Sequence, residues 1–225
     1  MMQKIVRMAN DTCPMNYTIH HPAETADLPL LVYLHGAGER GTKVEHLDRQ
    51  AIPTLLSQGK EYPAVVLCPQ CPGQLVWDNV VVELKQLIDA VAAEFAIKPD
   101  RIVLTGSSMG GFGTWVMGLT YRNYFAAIAP LAGGGMSWRT ANLRTTPVWA
   151  LHGEKDTTVP PVYSQLMVDG VNKNGGNARL TLVEGMGHND GINYAYEHMG
   201  VIEWLLAQRR TDFSYVPEVM EHKFG

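Results

Sequence analysis

Gly106-Ser107-Ser108-Met109-Gly110-Gly111-Phe112-Gly113 decides the fold, because it follows an apolar run at residues 101–105 and opens an apolar helical pattern. A G-x-S-x-G segment between strand and helix makes a sharp turn. The flanking glycines let neighbouring backbones close in, and the central serine takes a strained conformation that lifts its hydroxyl above the sheet. Ser108 is therefore the candidate nucleophile. Ser107 lacks the flanking symmetry and is expected to point into the fold. Glycine–serine turns also occur in ordinary loops, so the pentapeptide needs support from the rest of the chain.

That support begins with the strands. Residues 30–34, 64–67, 101–105, 125–129, 148–151 and 180–183 form short, mostly continuous apolar runs, the pattern of strands covered on both faces. Helical patterns lie between them. Val80, Leu84, Leu87, Ile88, Val91 and Phe95 share one face, with Asp78 as candidate N-cap and Pro99 beyond the end. Tyr163, Leu166, Met167, Gly170 and Val171 form a second face that stops at Asn174-Gly175-Gly176, a left-handed C-cap signal. A last helix is expected over about 194–207, with Val201, Ile202, Leu205 and Leu206 inward. Residues 4–8 and 16–20 read as an opening antiparallel hairpin. The alternation predicts an α/β fold, 1–225 as one domain: a mostly parallel central sheet flanked by helices on both faces, with ligands at the carboxyl ends of the strands.

A serine hydroxyl needs a base and an orienting acid. Asp156 lies in the loop after the 148–151 strand, within His152-Gly153-Glu154-Lys155-Asp156, and His188 follows the 180–183 strand in Gly185-Met186-Gly187-His188. The order Ser108, Asp156, His188, with a helix–strand unit between members, lets three topside loops converge. His20, His21, His46, His198 and His222 have no strand end nearby and read as surface or packing residues. His152 abuts its strand and reads as a structural hydrogen-bonding residue. Glu154 competes with Asp156, and Asp190 lies too near His188 in sequence to orient it easily.

After the 30–34 strand comes His35-Gly36-Ala37-Gly38-Glu39-Arg40-Gly41. Its small residues let backbone N–H groups face a cavity, and Ala37 and Met109 N–H are the candidate oxyanion donors. The same stretch spells G-x-G-x-x-G, a dinucleotide fingerprint. That reading requires an acidic residue at the end of the next strand, where Cys68-Pro69-Gln70 stands instead. Cys68-Pro69-Gln70-Cys71 suggests redox chemistry, but it follows a strand rather than opening a helix, and three cysteines are no disulfide framework. No cofactor or metal is expected.

The 225 residues include 18 basic and 22 acidic side chains, a net charge of −4, with no electrostatic footprint for nucleic acid or an anionic membrane. No apolar run approaches a transmembrane length. Residues 1–10 lack a signal-peptide core, which predicts a cytoplasmic protein, or a secreted one if an export signal has been removed.

Together these segments resemble the α/β-hydrolase superfamily. Residues 35–41 with Pro69-Gln70, 106–113 and 152–156 resemble its small serine esterases, the group that includes predicted peptidases, feruloyl and acetyl esterases, polyhydroxybutyrate depolymerase-like proteins and phospholipase/carboxylesterases. The similarity spans roughly residues 16–207. It implies an α/β-hydrolase fold with nucleophile Ser108, acid Asp156, base His188 and oxyanion donor Ala37. Asn189-Asp190-Gly191 departs from the aromatic that many relatives carry after the histidine. The segment 211–225 extends past the usual last helix and is a candidate for assembly.

Residues 131–146 are too few for a cap domain, so an uncapped site for soluble or bulky small-molecule esters is expected. Trp77, Trp138 and Met136 are candidates to line its mouth or to pack beneath loops. Arg40 either recognises an anionic substrate or pairs with a carboxylate. Carboxylic-ester hydrolysis is the leading expectation. A small-peptide hydrolase and a non-catalytic binding protein of the same fold are the alternatives. The sequence leaves the oligomeric state open.

Overall fold

A computed structural model describes residues 2–214. In chain order its elements are β1 (Gln3–Arg7), β2 (Tyr17–His21), β3 (Leu30–Leu34), α1 (Ala51–Ser57), β4 (Val65–Pro69), α2 (Val81–Glu94), β5 (Ile102–Ser107), α3 (Met109–Thr120), β6 (Ala127–Leu131), β7 (Val148–Gly153), α4 (Val162–Lys173), β8 (Ala178–Val183), α5 (His188–His198) and α6 (Val201–Leu206). The eight strands form one sheet in the order β1-β2-β4-β3-β5-β6-β7-β8. The pairs β1–β2 and β2–β4 are antiparallel, and the remaining pairs are parallel. This is the mostly parallel sheet with an N-terminal hairpin that the sequence predicts.

Successive strand residues face opposite layers, so a strand buried on both sides needs an unbroken apolar run. Leu30, Val32 and Leu34 pack into the layer of Leu84, Ile88, Trp115 and Met167 from α2, α3 and α4. Leu31 and Tyr33 enter the opposite layer with Ile52, Ile192, Tyr196 and Leu205 from α1, α5 and α6. Strand order reverses at β3, which lies between β4 and β5, and a crevice opens there beyond the carboxyl ends.

Several local expectations change. A 3-10 turn, Trp77–Val80, precedes α2, and the side chain of Asn79 rather than Asp78 accepts the Val76 N–H at 3.0 Å. On α4 the inward face is Met167, Val168 and Val171, while Tyr163 and Leu166 are exposed. The expected C-cap is found, with Gly175 at φ 77°. The predicted final helix is two helices, because Gly200 adopts φ 68° and breaks the run. His20 is buried. His222 and 215–225 of the C-terminal segment lie outside the described residues. No helix among the described residues is long and apolar enough to cross a membrane.

Candidate active site

The site grows from the turn between β5 and α3. Ser108 has φ 55° and ψ −116°, a strained conformation for a residue with a side chain. Its N–H donates to Leu131 O at 2.9 Å, tying the turn to the end of β6. A Cβ on Gly106 would fall 2.4 Å from Gly110 O, so a larger residue there would force the turn open. Ser107 is buried, its Oγ 2.8 Å from the Tyr33 hydroxyl.

Asp156 follows β7 in a loop folded around its carboxylate. Oδ1 accepts the N–H groups of Thr158 at 2.9 Å and Val159 at 2.8 Å. Oδ2 lies 2.6 Å from His188 Nδ1, and His188 Nε2 lies 2.8 Å from Ser108 Oγ. An ionised carboxylate only accepts, so Nδ1 carries the proton and Nε2 presents its lone pair to the serine hydroxyl. Burial pushes the Asp156 carboxyl up, but the hydrogen bonds from His188 and the two backbone amides outweigh it and leave the pKa below its ordinary value.

His152 binds Val159 O at 2.7 Å through Nε2 and Ser164 Oγ at 2.8 Å through Nδ1, bracing the loop that carries Asp156. Glu154 instead accepts the Gly185 N–H at 2.8 Å.

Ala37 opens a 3-10 turn, Ala37–Glu39, and Met109 is the first residue of α3. First-turn N–H groups have no partner within their own helix, which frees both for a ligand. Gln70 braces the Ala37 loop by donating to Glu39 O at 2.9 Å and Lys43 O at 2.8 Å. Burial pushes the thiols of Cys68 and Cys71 up to about 12 and about 11, far from a reactive thiolate.

Two cavities border the Ser108–Met109 turn, the first at Ser108 and the second at Met109. One, of about 470 Å³, is bordered by the Ala37 turn, Arg49, Gln50, Ser108, His188, Asn189 and Asn193. The other, of about 410 Å³, is lined by Val76, Asp78, Met109 and Phe112. Trp77 lines neither. It is fully buried, its Nε1 donates to His35 O at 3.0 Å, and its ring fills the space left by Gly113, where a Cβ would meet it at 2.7 Å. Trp138 and Met136 are exposed on the 132–147 connection and are also absent from both linings. Arg40 does not line the Ser108–His188 cavity. Its guanidinium donates to Ala37 O at 3.0 Å and Leu75 O at 3.4 Å, so it braces the loop instead of pairing with a carboxylate.

Sequence reading missed Arg49, Gln50, Asn189, Asn193, Val76 and Phe112 as cavity residues. Only the spacing of Asn189 and Asn193, one helical turn apart after His188, offered a signal.

The fold is that of an α/β-hydrolase. The crystal structure of a thermostable esterase superposes with a TM-score of 0.76 at 26% identity, covering 93% of this chain and 63% of that one. The chain belongs to the phospholipase/carboxylesterase family, whose model matches residues 74–201, more than half of its length. It is 32% identical over 124 residues to poly(3-hydroxyalkanoate) depolymerase C of Paucimonas lemoignei, covering 48% of this chain and 28% of the relative. It is also 32% identical over 162 residues to the bifunctional acetylxylan esterase/xylanase XynS20E of Neocallimastix patriciarum, covering 69% and 23%. The chain thus spans about a quarter of the length of these two relatives.

Proposed function

We propose that the protein hydrolyses carboxylic esters through an acyl-enzyme formed on Ser108. The observation that carries this reading is the line of contacts from Ser108 Oγ through His188 to the buried Asp156 carboxylate. His188 Nε2 takes the hydroxyl proton as Oγ attacks the ester carbonyl. Asp156 steadies the imidazolium that results. Ala37 and Met109 N–H groups hold the oxyanion, and the positive end of α3 adds to their field. His188 then gives its proton to the departing alcohol oxygen. In the second half water attacks the acyl carbonyl, His188 takes its proton, and Ser108 leaves as the hydroxyl.

Fluorophosphonate labelling tests this directly. The wild-type protein is expected to carry one phosphonyl group and to release 4-nitrophenol from 4-nitrophenyl acetate, and Ser108→Ala is expected to do neither. Labelling that survives in Ser108→Ala, or none in the wild type, overturns the reading.

A further inference from the structure

The 470 Å³ cavity beside His188 is bordered by polar side chains, and its residues fix which half of an ester it receives. His188 must hand a proton to the departing oxygen, so the alcohol portion lies on the side bordered by His188 and its own helix. Asn189 and Asn193 line that side from α5, and Gln50 Nε2 donates to Asn189 Oδ1 at 3.3 Å to close the wall.

Arg49 stands next to Gln50 in the lining, and its guanidinium makes neither an ion pair nor a hydrogen bond among the described residues. The neighbouring Asp48 is held by Lys4 Nζ at 2.6 Å. Glu39 is the one carboxyl in the lining. It is buried, its Oε2 lies 3.4 Å from where a Gly36 Cβ would stand, and burial raises its pKa while the charge of Arg49 acts to lower it, without a hydrogen bond or close ion pair between the two. Beside Met109 the other cavity offers Val76, Met109 and Phe112, with Asp78 also in its lining, a mostly apolar seat for an acyl group.

The geometry points to esters whose alcohol portion carries an anionic group held by Arg49 and whose acyl portion is apolar. This rests on the ester-hydrolase reading above. Arg49 is then the residue that selects the leaving group.

The test compares two acetyl esters of similar shape, 3-acetoxybenzoate and 3-acetoxybenzamide, as a ratio of kcat/KM. The wild-type protein is expected to favour the anion about fivefold, the size of a partly screened ion pair, and added salt is expected to shrink the ratio. Arg49→Gln is expected to bring the ratio near one, and Arg49→Lys to keep a preference for the anion. Arg49→Glu is expected to turn the preference toward 3-acetoxyphenyltrimethylammonium. An equal ratio in wild type and Arg49→Gln, with both esters hydrolysed, overturns the assignment of Arg49 and leaves the ester-hydrolase reading standing. Failure of the wild type to hydrolyse either ester overturns both.

Discussion

Gly110 packs so tightly beneath Leu34 that a Cβ on it would fall 1.9 Å from the Leu34 carbonyl oxygen. That oxygen is backbone at the end of a central strand and cannot rotate away. Gly110→Ala is expected to cost about 3 kcal/mol of stability through overpacking, read as a lower urea midpoint. Gly38→Ala, where a Cβ meets nothing within 4 Å, serves as the control.

Ser108 holds positive φ with a side chain attached. Glycine adopts this conformation without the steric penalty, so Ser108→Gly is expected to abolish turnover while raising stability by about 1 kcal/mol. A thermal melt alongside an esterase assay checks both halves.

The Asp156 carboxylate accepts from His188 Nδ1, and an amide in its place can turn a donor toward the ring and favour the wrong tautomer. Asp156→Asn is expected to lower kcat about 10⁴-fold with little change in KM. Steady-state kinetics on one chromogenic ester separate the two constants.

His35 is buried and accepts the Cys71 N–H on Nε2 at 2.9 Å, so protonation there breaks a hydrogen bond inside the fold. Burial lowers its pKa from 6.5 to about 4. The unfolded chain takes up protons in that window and the folded chain does not. Stability is therefore complete above pH 6.5 and drains as the pH falls toward 4, by about 3 kcal/mol from this residue. His20, also lowered to about 4 chiefly by burial, acts in the same direction. Urea midpoints across that range, with an NMR titration of the imidazoles, check the sign and the window.

The parts of the molecule readable from sequence are those where backbone geometry restricts the residue type. Unbroken apolar runs mark doubly covered strands, and the glycines around Ser108 mark a turn with no room for side chains. The positions of Asp156 and His188 after successive strands follow from the same logic. What escaped the reading depends on packing between distant segments. Trp77 enters the core because Gly113 on α3 leaves a notch for its ring, a pairing that no local pattern encodes. Arg49 and Asn193 border one cavity although more than half the chain separates them, and neither belongs to a motif. The final helix divides at Gly200 because that residue takes left-handed backbone angles while the apolar spacing continues past it.

Ser108 follows β5 in the middle of the sheet, whereas Asp156 and His188 follow β7 and β8 at one border. At that border β8 pairs, among the described residues, with β7 alone, and Leu182 is exposed on it. Fraying there separates imidazole from hydroxyl while the interior layers stay packed. On the proposed mechanism, mild denaturant is therefore expected to abolish turnover before the chain as a whole gives way, which makes turnover a sensor for the health of a single edge.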